Sequence, residues 1–94
     1  MSDPNYVQAV LDRLNAASPG LDPDLAQLYA LLAMVKGADT TLCDVHEAWA
    51  VWRNASNPRH PSLIPFDELA TEVQELDREY MLAIHKAAPA PAPQ

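Results

Sequence analysis

The sequence predicts a small all-α protein, a four-helix bundle with a proline-rich extended strap between helices three and four. Three observations carry this. Apolar residues recur at three- and four-residue spacing in four separate stretches, the period of a helix with one buried face. Prolines and glycines fall at the starts and ends of those stretches, where they open or stop helices. And 94 residues suffice for one hydrophobic core but not for two.

The first helix is expected from about Pro4 to Ala17, with Asp3 as N-cap and Pro4 in the first position. Tyr6, Val7, Val10, Leu11 and Leu14 share one face, and Ser18-Pro19-Gly20 ends it. The second repeats the grammar, with Asp22 as cap, Pro23 first and Asp24 in the first turn. Leu25, Leu28, Tyr29, Leu31, Leu32 and Val35 follow, with alanines and Met34 on the other faces, which predicts a central helix. It stops at Lys36-Gly37, a cation followed by a C′ glycine. The third helix starts after an Asp39, Thr40 or Thr41 cap and runs to Arg53 or Asn54, with Leu42, Val45, Trp49 and Trp52 as its core stripe. Prolines 58, 61 and 65 bias their preceding residues toward extended geometry, hence the strap, pinned by Leu63, Ile64 and Phe66. A fourth helix from Thr71 to Ala87 buries Val73, Leu76, Tyr80 and Ile84. The expected organisation is one helical domain over 1–87 and a disordered Ala/Pro tail over 88–94.

Charge narrows the partners. Six Lys and Arg oppose thirteen Asp and Glu, for a net charge of −7. Nucleic-acid binders concentrate cations to neutralise phosphates, whereas Arg13, Lys36, Arg53, Arg59, Arg78 and Lys86 are scattered singly among acids. No nucleic-acid partner is expected. No membrane association is expected either, because an acidic surface repels anionic lipid and no apolar run approaches about 20 residues. A basic protein surface suits this chain. The polar, acidic start and the single cysteine, Cys43, predict a cytoplasmic protein without a disulfide.

Residues Asp44 to about Ile84 resemble the ryanodine-receptor repeat, the RyR domain. The residues that carry the likeness are His46-Glu47-Ala48-Trp49-Ala50, then His60-Pro61-Ser62-Leu63-Ile64-Pro65-Phe66-Asp67-Glu68-Leu69, then Asp77-Arg78. The family's longer glycine- and aromatic-containing loop between the Trp helix and the His-Pro strap is replaced here by Val51 to Arg59. The resemblance implies a non-catalytic interaction module that in some settings takes part in adenine-nucleotide binding. Paired copies are common in that family, so a homodimer is expected to stand in for the missing copy. The whole chain, including Leu28-Tyr29-Ala30-Leu31-Leu32 and Asp44-Val45-His46-Glu47-Ala48-Trp49, also looks like small proteins of unassigned function from actinobacteria and their phages. That likeness implies a phage-type accessory protein acting on a host protein.

The chemistry-bearing residues are few. His46-Glu47 lacks the second histidine of a zinc-peptidase helix, since position 50 is alanine. No metal or cofactor is expected, and His46 is expected to hydrogen-bond to the strap. Cys43 and His46 lie one turn apart but lack a third, orienting group, so Cys43 reads as a buried structural thiol. Trp52, Arg53, Arg59 and His60 are the expected binding residues, an indole and a guanidinium at a helix end facing the strap entrance. His46, Trp49, Pro61, Pro65, Phe66, Asp77 and Arg78 are expected to build the motif around them, with Asp77-Arg78 tying the strap to the fourth helix. The leading expectation is binding to a protein partner. The alternative is a sensor or sequestering protein for an adenine-type nucleotide, held between the third helix and the strap.

Overall fold

A computed structural model describes residues 5–89. Among them are helices at Tyr6–Ala17 (α1), Pro23–Val35 (α2), Leu42–Ser56 (α3), Thr71–Glu75 (α4) and Arg78–Ala87 (α5), with 3-10 turns at Gly37–Asp39 and Phe66–Glu68 and no strand. The described chain is all-α. The expected Asp3-Pro4 start and most of the expected Ala/Pro tail lie outside the described residues.

The helix ends follow local chemistry. Asn5 caps α1, accepting from the Gln8 N–H at 2.8 Å. Asp22 accepts from the Asp24 and Leu25 N–H groups at 2.9 and 3.2 Å, with Pro23 in the first turn. Gly37 takes φ +57 just past α2, a conformation in which a Cβ is strained. Of the three candidate caps for α3, Thr41 is the one used. It forms a reciprocal box with Asp44, the Asp44 N–H donating to Oγ1 at 3.2 Å and the Thr41 N–H to Oδ2 at 2.9 Å. Burial alone would push the Asp44 carboxyl up, but the Thr41 hydrogen bonds and Lys36 at 2.9 Å hold it below its ordinary value.

Two expectations need correction. The segment between α3 and α4 folds as two consecutive turns, not one extended strap. The His60 N–H donates to Asn57 O and the Leu63 N–H to His60 O, each at 3.1 Å. Pro58 and Pro61 occupy the second positions of these turns, where a fixed φ favours turning. The expected fourth helix is broken at Leu76-Asp77, where the ladder tightens to i→i−3 bonds (Leu76 N–H to Val73 O, 3.2 Å; Asp77 N–H to Gln74 O, 3.4 Å). Beyond the break, α5 packs mainly against α1 and α2, and both α4 and α5 touch α3.

Val10 and Leu14 of α1, Tyr29, Ala30 and Ala33 of α2, Val45 of α3, and Ala83, Ile84 and Ala87 of α5 form the core. The alanines on α2 and α5 let those backbones approach closely. α2 meets α1, α3 and α5, yet leaves Leu31 and Val35 exposed. Arg13 donates to Ala87 O from Nε and Nη2 at 3.2 and 3.0 Å, placing a cation at the C-terminal end of α5.

Candidate functional site

Beside this core lies a cleft of about 610 Å³. It is bounded by the α1–α2 turn, the inner faces of α2 and α3, and the α4–α5 break. Two clusters of side chains line it, one rich in tryptophan and one in tyrosine.

At the tryptophan end, Trp52 donates its indole N–H to Asp22 Oδ1 at 3.2 Å. The Arg53 guanidinium lies 4.4 Å from the Trp52 ring centre and 6.0 Å from that of Trp49, a cation–π arrangement. Arg53 Nε is buried and has no hydrogen-bond partner. His60 stands edge-on to Trp49 at 5.1 Å and accepts at Nδ1 from the Ser62 N–H at 3.0 Å. A neutral His60 therefore carries its proton on Nε2.

His46 joins the two ends. It is 3% exposed and stacks on Trp49 at 5.7 Å, with Phe66 at 6.1 Å. Its Nε2 lies 2.8 Å from Ile64 O. A carbonyl only accepts, so Nε2 carries a proton and donates. This bond holds the turn segment to α3, and Gln74 Nε2 holds it to α4 by donating to Phe66 O at 2.9 Å.

The tyrosine end comprises Tyr29, Tyr80 and Asp77, with Glu79 at the rim. The two tyrosine rings tilt together at 5.8 Å. Burial pushes the Tyr29 phenol far above its ordinary value, with Asp77 and Tyr80 adding to the effect. Asp77 is half-buried at the helix break. Burial raises its carboxyl, and proximity to His46 opposes the rise only in part. Its carboxylate makes no hydrogen bond or ion pair among the described residues.

Of the expected binding residues, Trp52, Arg53 and His60 meet in this cleft, whereas Arg59 is exposed on the turn and does not line it. His46, Trp49 and Asp77 line it as well. Pro61 is exposed, and Pro65 borders a separate shallow groove beside α3 with Ala50, Val51 and Ile64. Arg78 does not tie the turns to the last helix. It points outward and pairs with Glu75 at 2.6 Å. Cys43 is exposed rather than buried. Its thiol is pushed up, by partial desolvation first and then by Glu47, Asp44 and Asp67, with Lys36 opposing them in part. Among the described residues no group of three His, Cys, Asp or Glu side chains is placed to hold a metal ion. No helix among them is long and apolar enough to cross a membrane.

Sequence reasoning missed Asp22, Tyr29 and Tyr80 as cleft residues. A tyrosine on an apolar stripe is a weak signal, because its hydroxyl needs either water or a partner and the stripe does not say which.

A family profile described as a domain of unknown function (DUF7701) matches residues 5–89. The chain belongs to that family. Every residue lining the cleft lies inside the match, so the cleft is part of the family's domain. No curated protein and no solved structure matches the chain.

Proposed function

We propose that this domain is a non-catalytic binding module that holds a protein partner by receiving one of the partner's side chains in the cleft. The observation behind this reading is a cleft with aromatic walls in which, among the described residues, the Asp77 carboxylate has no ion-pair partner and Arg53 Nε no hydrogen-bond partner. Its volume falls within the roughly 300–1,000 Å³ of ligand sites. Trp, Tyr and Arg at the centre of a pocket are the residue types on which interface energy concentrates. The reading agrees with the RyR resemblance, which implies an interaction module. For a phage-encoded chain the partner is a host protein.

A second reading, an adenine-type nucleotide ligand, has one observation in its favour. Arg53 Nε lacks a partner beside two indole rings, a setting that a stacked base and its acceptors could complete. It ranks second because Arg53 is the single Lys or Arg lining a cleft that also holds Asp22, Asp77 and Glu79, and a polyphosphate needs more cations.

Selection of displayed random peptides against the full chain tests both. Selected peptides are expected to shift the indole N–H resonances of Trp49 and Trp52 and to lose binding to a Trp49→Ala variant. A thermal scan with nucleotides runs in parallel. Peptides that map away from the cleft, together with a nucleotide that raises the melting temperature by more than about 10 °C at 100 times its Kd, would replace the first reading by the second.

A further inference from the structure

We infer that the tyrosine end of the cleft is a receptor for one cationic side-chain head, a guanidinium or primary ammonium of a partner protein, with Asp77 as its counter-ion. This deepens the binding reading above and rests on it.

The two ends of the cleft carry similar chemistry, and only one has its cation. At the tryptophan end, aromatic faces, the Asp22 carboxylate and the Arg53 guanidinium lie together. At the tyrosine end, two aromatic rings and the Asp77 carboxylate lie together with no Lys or Arg. Arg78, adjacent in sequence, is committed outward to Glu75. The His46 Nε2–H is committed to Ile64 O.

Asp77 is thus a half-buried carboxylate in an aromatic setting without a donor. A carboxylate partly withdrawn from water gains from the charged donor that a ligand brings to it. Three features define the guest. It must bring N–H donors for Asp77. It must carry positive charge, since Asp77, Glu79 and Asp22 face the cleft against one guanidinium, Arg53, with His46 beside Asp77 committed to Ile64 O and His60 at the tryptophan end. It must pass an apolar stem along Tyr80, Val73 and Leu76, which line the route. Arginine and lysine side chains satisfy all three. A carboxylate or phosphate guest fails the second, and an aliphatic one fails the first.

The full chain, ¹⁵N-labelled, is titrated with acetyl-arginine amide, acetyl-lysine amide, agmatine and, as the uncharged control, acetyl-norleucine amide. The arginine and lysine amides are expected to shift the amide resonances of Val73 to Tyr80 saturably and to bind more tightly than norleucine. Asp77→Asn is expected to weaken them about tenfold or more, while its circular dichroism stays native and its melting temperature rises. Tyr80→Leu is expected to weaken them with Asp77 unchanged. Agmatine tighter than both amides would move the source from a protein side chain to a free amine and overturn the partner assignment. Norleucine amide equal to arginine amide, unchanged affinity in Asp77→Asn, or no saturable shift by any cation would overturn the inference. The display selection separates this from failure of the wider reading. Cleft-binding peptides without an essential Arg or Lys sink the cationic guest alone, and peptides that avoid the cleft sink both.

Discussion

The tryptophan and tyrosine ends of the cleft differ in whether the chain sets a guanidinium beside the aromatic rings and the carboxylate. Trp52 has Asp22 for its N–H, Asp22 also caps α2, and Arg53 covers the Trp52 ring. At the other end, among the described residues, Asp77 has no donor and the Tyr29 and Tyr80 rings have no Lys or Arg beside them. The first arrangement is closed within the chain, whereas the second leaves a half-buried, solvent-reached carboxylate without an ion-pair partner among the described residues. The end without a guanidinium is therefore where a partner's cation has a place. Substitutions that touch both ends, one end or neither test this contrast.

The largest effect is expected from Trp49→Ala. Trp49 stacks on His46, meets the His60 edge and flanks Arg53, so its loss removes the wall shared by both ends. Full truncation of a buried tryptophan costs about 3–5 kcal/mol, and partial exposure reduces this to roughly 2–4 kcal/mol. Urea unfolding should show a lower midpoint at an unchanged slope, with cleft binding lost. A loss below about 1 kcal/mol would mean that the two ends are not joined through this ring.

Trp52→Phe separates the ends. It keeps an aromatic face for Arg53 but removes the N–H donated to Asp22, and Asp22 retains its capping bonds to Asp24 and Leu25. The expected loss is about 0.5–1.5 kcal/mol, the worth of one hydrogen bond. Binding at the tyrosine end should persist within about twofold, as for a site with its own contacts. Abolished binding would show the cleft to be one coupled unit.

Much of the architecture was legible before any coordinates. Asp22-Pro23 and Lys36-Gly37 are local grammar, and the ends they set for α2 need no tertiary information, whereas the start of α3 was narrowed only to a cap at Asp39, Thr40 or Thr41. The break at Leu76-Asp77 was not legible. Neither residue is glycine or proline, and the apolar period runs through both. The turn carries α5 onto α1 and α2, a packing that only the folded bundle specifies. The same distinction separates the site residues. Trp52, Arg53 and His60 flank a short connection, so their meeting follows from chain proximity. Tyr29 and Tyr80 lie in different helices, and only packing joins them. Arg59 was misplaced because neighbouring turn residues point to different sides. Cys43 was misplaced because it flanks the α3 stripe, a position that burial can include or omit.

Asp77→Asn is expected to stabilise the protein modestly, by at most about 1 kcal/mol at neutral pH given the solvent access of the site. The sign follows from burial. Asp77 has a raised carboxyl in the fold, so its protonated form is the better tolerated one. The stability linked to that proton is complete below the unfolded value of about 3.9 and is lost as pH rises through the folded value. Asparagine resembles the protonated form. Its advantage over the wild type should be absent below about pH 4 and grow to a plateau toward neutrality, as read by melting curves at several pH values. A variant less stable than the wild type at pH 7 would mean that Asp77 is paired within the fold, and the contrast between the ends would fail.

The smallest effect is expected one residue further on. Arg78 lies beside Asp77 in sequence, and its partner Glu75 is exposed on the outer face of the break. The pair lowers the Glu75 carboxyl mainly through its hydrogen bonds. Exposed pairs of this kind give up in side-chain entropy and salt screening most of what they gain in attraction. Arg78→Ala should leave the melting temperature, the pH profile and binding in the cleft unchanged. The variant also tests the break itself. If the Glu75–Arg78 pair held α4 and α5 at their angle, its loss would free Asp77 and weaken cationic binding as Asp77→Asn does. Unchanged binding would assign the angle to the packing of α5 against α1 and α2, and would separate the inward from the outward charge.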